Sequence, residues 1–181
     1  LMLALLPFEA EFYQQHDVPV AFIGHPLADD IALITDTQKA RAELSVTGKT
    51  VVALMPGSRG SEVALLGELF FEVAQSIHQK IEGCEFLIPA ANNERKQQIV
   101  ALLQGKGYSF NYQLFDGQSH EVMAASDVVL LASGTTALEA MLLKKPMVVA
   151  YKMAGFSYWL LSKLVKTEFI SLPNLLAGKA L

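Results

Sequence analysis

Short apolar runs alternate with longer mixed segments through most of the chain, and the two kinds carry different periods. Residues 50–55, 85–89, 109–114, 128–131 and 147–150 are compact, apolar and rich in β-formers, the pattern of sheet-core strands. After the first of these runs, Val63, Leu66, Phe70, Val73 and Ile77 recur at steps of three and four. That spacing predicts a helix whose stripe packs on the sheet, with Ser61 placed to cap its start. Further helices are predicted over residues 93–104, 119–126, 136–143 and 156–164, each parted from the next strand by Gly, Pro, Ser or Asp. Strand and helix in sustained alternation predict an α/β fold, a Rossmann-like parallel sheet with helices on both faces.

The first 48 residues follow the alternation less clearly. Residues 1–6 are apolar, lack the basic leader and small-residue cleavage site of a signal peptide, and run straight into Pro7, so they read as a buried strand. Gly24-His25-Pro26 follows, and then Thr35-Asp36-Thr37 opens a helix reaching Leu44. Residues 1–48 are therefore expected to be the end of an amino-terminal domain with an interdomain connector. Residues 49–181 are expected to be a nucleotide-binding domain truncated at its carboxy end, so that the chain starts inside a larger protein.

Composition narrows the function. The 181 residues suffice for one ordinary domain with a sizeable core. At 52% hydrophobic, 18% charged and a net charge of -4, the chain is neither disordered nor a nucleic-acid binder relying on a broad cationic surface. Cys84 is the single cysteine, which excludes an internal disulfide framework, and no Cys/His spacing suggests zinc. A reducing, cytoplasmic compartment fits best. No apolar run approaches the roughly 20 residues of a membrane-spanning helix.

In a doubly wound sheet the ligand lies beyond the carboxyl ends of the strands, so the loops there are the places to search. Pro56-Gly57-Ser58-Arg59-Gly60-Ser61-Glu62 lies between the first strand and the clearest helix. Its glycines allow close backbone approach, amides at a helix start favour phosphate, and Arg59 adds a forked cation. The same loop also reads as a tight turn with an exposed arginine. It is neither a Walker A loop nor a three-glycine dinucleotide fingerprint. Ala132-Ser133-Gly134-Thr135-Thr136-Ala137-Leu138-Glu139 repeats the strand, glycine, helix order. Its hydroxyls suit an anion such as a diphosphate, and Glu139, one turn past Thr135, suits a ribose diol. Thr136 to Glu139 also reads as a capping box needing no ligand. The segment from Phe115 through His120 to Met123 follows another strand and is a candidate base-binding segment.

These strings in this order, with Val165 to Gly178 including Leu172-Pro173-Asn174-Leu175-Leu176, resemble the lipid-A-disaccharide synthase family. Leu6-Pro7-Phe8-Glu9 and Phe22-Ile23-Gly24-His25-Pro26 fit it too, so the resemblance covers nearly the whole chain. It implies one half of a GT-B fold, the carboxy-terminal donor-binding portion. The implied reaction transfers 2,3-diacylglucosamine from its UDP derivative to 2,3-diacylglucosamine 1-phosphate, forming the β-1,6-linked lipid A disaccharide and UDP. Carried onto this sequence, the resemblance makes Arg59 the catalytic residue. It assigns UDP contacts to Ser58, Ser133, Gly134, Thr135, Thr136 and Glu139, has Phe115 to Met123 border the uracil, and makes Asn174 a candidate cleft residue. No cofactor is implied and no metal site is expected, since no Asp-x-Asp motif occurs.

The implied partners are the UDP-diacylglucosamine donor, the acylated glucosamine phosphate acceptor and, for the full-length enzyme, the inner membrane surface. That places the full-length enzyme in the cytoplasm, peripheral to the membrane. In this chain Phe156 to Lys166, aromatic, aliphatic and basic, is the candidate membrane-facing stretch, although a helix packing on the core reads the same way. Two alternatives stay open. One is another UDP-sugar GT-B enzyme, a peptidoglycan glucosaminyltransferase or a UDP-sugar 2-epimerase; the other is a non-catalytic nucleotide-binding module.

Overall fold

The computed structural model describes residues 1–153 and 169–181; the helix expected over 156–164 and the candidate membrane-facing stretch over 156–166 lie outside the described residues. Five strands form one parallel sheet: β3 (Thr50–Met55), β4 (Cys84–Ala90), β5 (Tyr112–Asp116), β6 (Val128–Ala132) and β7 (Met147–Ala150). Their order across the sheet is β5-β4-β3-β6-β7. The chain builds outward from β3 to β5, returns to set β6 on the other side of β3, and continues to β7. The connections thus diverge between β3 and β6, which is where such a sheet opens a crevice at its carboxyl end.

Successive residues of β3 serve opposite faces, as the strand pleat requires. Val51, Ala53 and Met55 enter one buried cluster, with residues of α3 (Thr37–Glu43), α6 (Ser119–Ala125) and α7 (Thr135–Leu142). Val52 and Leu54 enter the other, with α4 (Gly60–His78) and α5 (Asn93–Lys106). The α/β architecture with helices on both faces is therefore as expected. In α4 the buried stripe is Val63, Leu66, Gly67, Phe70, Phe71 and Ala74, whereas Val73, assigned to the stripe from spacing, is 37% exposed. The 3.6-residue period carries a stripe of steps three and four around the axis, so Phe71 and Ala74 take the places nearest the sheet.

Strand β5 starts later than the sequence pattern indicated and runs on to Asp116. Phe110 supplied the apolar signal, but it is buried in the core ahead of the ladder, and Ser109 N donates to Gln75 Oε1 at 2.9 Å. That bond anchors the turn to α4 and delays the ladder.

Ahead of the sheet, β1 (Met2–Ala4) and β2 (Val20–Phe22) form a separate parallel pair joined through α1 (Pro7–Gln14). The strand expected over residues 1–6 is there in part, but it is not buried. Ala4 is 1% exposed while Leu1 and Leu3 are 86% and 54% exposed; among the described elements α1 is the one that packs substantially on the pair. A short helix, α2 (Leu27–Asp30), leads to α3, which starts where expected: Asp36 Oδ1 accepts from Lys39 N at 2.9 Å.

Helix α3 is joined to the sheet's helical layer by charge as well as by Ala40 and Leu44. Arg41 Nε donates to Ala125 O, and its Nη2 lies 2.7 Å from Asp127 Oδ2, which also accepts from Val51 N. Lys145 Nζ donates to Thr37 Oγ1 and to the carbonyls of Ala124 and Ser126 at the end of α6. Burial lowers the Lys145 ammonium from its ordinary pKa, against the opposing pull of Asp127. Residues Leu172–Ala177 form the last helix, α8.

Candidate functional site

The two loops singled out in the sequence flank the divergence point. Residues 56–59 follow β3 and residues 133–134 follow β6, and because those strands are neighbours, both loops meet over one cavity of about 270 Å³. Gly57, Ser58, Arg59 and Glu62 form one wall; Ser133, Gly134, Thr135 and Thr136 form the other.

Helix α4 begins two residues earlier than expected, with Arg59 in the extended N-cap conformation (φ -95, ψ 146). Ser61 is therefore inside the first turn and does not cap it. The cap comes from Glu62: Oε2 accepts from Ser58 N at 3.0 Å and Arg59 N at 3.2 Å, and Oε1 accepts from Arg59 Nη1 at 2.8 Å. Gly57 makes this possible. Its φ is +123, and a Cβ there would lie 2.4 Å from Glu62 Oε2. The amides of Ser58 and Arg59, expected from sequence to meet a phosphate, are thus already engaged by a carboxylate. Arg59 remains the outward-facing group of this wall, its side chain 80% exposed.

Two supports behind the turn went unnoticed in the sequence. Gln98 Nε2 donates to Gly60 O at 2.9 Å. Arg95, 11% exposed and paired with Glu94, packs so closely that a Cβ on Gly60 would lie 2.1 Å from its Nη1. Both side chains come from α5.

The second wall is built differently. Gly134 is the N-cap of α7, and no side chain caps that helix. Thr136 occupies the second helical position, so the capping box read over Thr136 to Glu139 does not form. An uncapped helix start flanked by the Ser133, Thr135 and Thr136 hydroxyls has the donors an anion requires. Ser133 Oγ lies 3.2 Å from Ile170 O.

Released from capping, Glu139 lies with its Oε2 3.5 Å from His120 Nε2, its side chain 18% exposed. Glu139 and His120 line a shallow cavity with Gln118, Ser119 and Glu121, and Ser119 also borders the main one. The candidate diol acceptor is therefore next to the candidate anion site. Asn174, on α8, shares a further cavity with Ser133.

Phe115 and Met123 are not brought to these cavities. Phe115 belongs to β5 and packs half-buried on the core; Met123 is fully buried in it, as are its α6 neighbours Val122, Ala124 and Ala125. What reaches the surface from that segment is the turn from Gln118 to Glu121. Among the described residues, no group of three or more His, Cys, Asp or Glu side chains is placed to hold a metal ion. Likewise, no described helix is long and apolar enough to cross a membrane.

A family model described as lipid-A-disaccharide synthetase matches residues 1–181. Lipid-A-disaccharide synthase of Pseudomonas putida (strain W619) is 54% identical over 181 residues, covering 100% of this chain and 48% of that protein. The enzyme of the same name from Hahella chejuensis (strain KCTC 2396) is 54% identical over 182 residues, covering 100% and 46%. The chain spans about half the length of the curated relatives it matches. Among solved structures, the S. aureus MnaA–UDP co-structure overlays with a TM-score of 0.65 at 15% identity, covering 97% of this chain and 48% of that one. The UDP-GlcNAc 2-epimerase from Neisseria meningitidis, bound to UDP-GlcNAc, overlays at 0.56 and 17% identity, covering 91% and 48%. These two likenesses are of fold.

Proposed function

Because this chain belongs to the lipid-A-disaccharide synthetase family, we propose that it is the carboxy-terminal, UDP-sugar-binding half of a two-domain GT-B glycosyltransferase. The full-length protein transfers 2,3-diacylglucosamine from its UDP derivative to 2,3-diacylglucosamine 1-phosphate, releasing UDP. The observation that carries the reading is the convergence of the loops after β3 and β6 on one cavity, with a cation on one side and an uncapped helix start on the other.

In this reading the donor diphosphate lies between Arg59 and the start of α7. The Ser133, Thr135 and Thr136 hydroxyls and the α7 amides accommodate its oxygens, and Ser58 borders it. As the bond to the anomeric carbon breaks, negative charge collects on the UDP oxygen, and Arg59 stabilises it. Glu139 accepts hydrogen bonds from the ribose diol. The uracil lies along the turn from Gln118 to Glu121 in place of the buried Met123 side chain, and Asn174 faces the cleft from α8. The general base and the acceptor contacts belong to the other half of the protein, so this chain binds UDP without turnover. Acylated substrates favour a cytoplasmic enzyme held at the inner membrane surface.

Calorimetric titration with UDP, UDP-N-acetylglucosamine and ADP tests the reading. Both uridine ligands should bind and ADP should bind much more weakly. Equal affinity for ADP would sink the uridine assignment, and disaccharide formation by the purified chain would sink the claim that it lacks turnover.

A further inference from the structure

Resting on the nucleotide reading, we infer that Glu62 is a positioning residue for the phosphate end of the donor, acting through Arg59. One carboxylate accepts three hydrogen bonds. It accepts from the amides of Ser58 and Arg59, which sets the turn, and it accepts from Arg59 Nη1, which restrains the guanidinium.

The arrangement is built into the loop. Gly57, with φ +123, leaves room for Glu62 Oε2 that any side chain would fill. From behind, Gln98 holds Gly60 O and Arg95 packs against the Gly60 backbone, so the turn is fixed on both sides. Glu62 itself is partly sheltered, its side chain 27% exposed against 80% for Arg59.

An arginine as exposed as Arg59 would otherwise sample many rotamers and lose that freedom on binding an anion. Holding Nη1 restricts the search beforehand and leaves Nε and Nη2 for the diphosphate, since a guanidinium has five donors in a rigid fork. The carboxylate also has a cost: it puts a negative charge beside an anion site. Positioning and repulsion have opposite signs in the measured affinity, and the geometry favours positioning.

The test is titration of this chain, unsubstituted and as Glu62→Gln, Arg59→Ala and the double variant, with UDP and with uridine, which lacks phosphates. Glutamine keeps an acceptor for the two amides but cannot also hold the guanidinium. For Glu62→Gln the Kd for UDP should rise on the order of three- to ten-fold through the freedom returned to Arg59. Uridine affinity should stay unchanged, and the double variant should bind UDP no more weakly than Arg59→Ala alone. Unchanged or tighter UDP binding by Glu62→Gln would overturn the assignment, as would equal losses for UDP and uridine, which would mark a general structural role. If the unsubstituted chain binds neither uridine ligand, the nucleotide reading fails and this assignment goes with it.

Discussion

A carboxylate one turn into a helix, with no capping bond to make, is free to accept hydrogen bonds from a ligand, and Glu139 meets that description. Its position beside His120 and next to the cavity at Ser119 suits a vicinal diol. If it holds the ribose, Glu139→Ala should weaken UDP binding and largely erase the preference for UDP over 2′-deoxy-UDP. The melting temperature should be little changed, because the box that would have coupled Glu139 to helix stability does not form. Titration with the two nucleotides, alongside thermal unfolding, checks both halves; a lower melting temperature with unchanged discrimination would make Glu139 structural. The contrast with Glu62 is instructive. Both residues follow a glycine-containing helix start, yet one turns back on its own amides and the other does not. What separates them is the distance from the N-cap, three residues for Glu62 and five for Glu139. Arg59 occupies the N-cap three residues ahead of Glu62, whereas Gly134 starts α7 too early for Thr136 to pair with Glu139.

At the scale of elements, the burial of α4 gives a direct comparison. Phe71 is fully buried and meets Tyr108 edge-on at 6.0 Å between centroids, whereas Val73 is 37% exposed. Phe71→Ala should cost about 3–5 kcal/mol of stability, and Val73→Ala within about 0.5 kcal/mol, measured by urea denaturation. Comparable losses at the two positions would mean that α4 presents a different face to the sheet. The strands and helices of the main sheet were largely legible, since buried parallel strands read as unbroken apolar runs; β3 and β7 have the bounds the pattern gave. The loops bearing Ser58, Arg59 and Ser133 to Thr136 were legible for the same reason, as glycine-rich breaks after such runs. Less legible were features set by distant partners. The delayed start of β5 depends on Gln75, the support of Gly60 on Arg95 and Gln98, and the inward turn of Met123 on the core beneath α6. Helix α1 left no stripe to read, because none of its residues is buried.

For the whole molecule, the two sheets differ in how much holds them. The five-stranded sheet is covered on both faces by buried clusters, while in the β1–α1–β2 unit only Ala4 is buried. Amides of β1 and β2 should therefore exchange with solvent through local openings, with protection well below that of β3 and β4. Hydrogen–deuterium exchange resolves this at the peptide level; equal protection would mean that the two sheets unfold as one unit. The sheet order has a further consequence, for how the fold is reached. β3 pairs with β4 early in the chain, but its other neighbour is distant, with Val52 opposite Val128. Closing so large a loop is slow relative to local pairing. During synthesis, β3 to β5 can assemble while one edge of the apolar central strand still lacks a partner, a surface open to mispairing with other chains. The crevice is completed only when β6 covers that edge, so the step that shields the nascent sheet from aggregation is also the step that creates the proposed binding site.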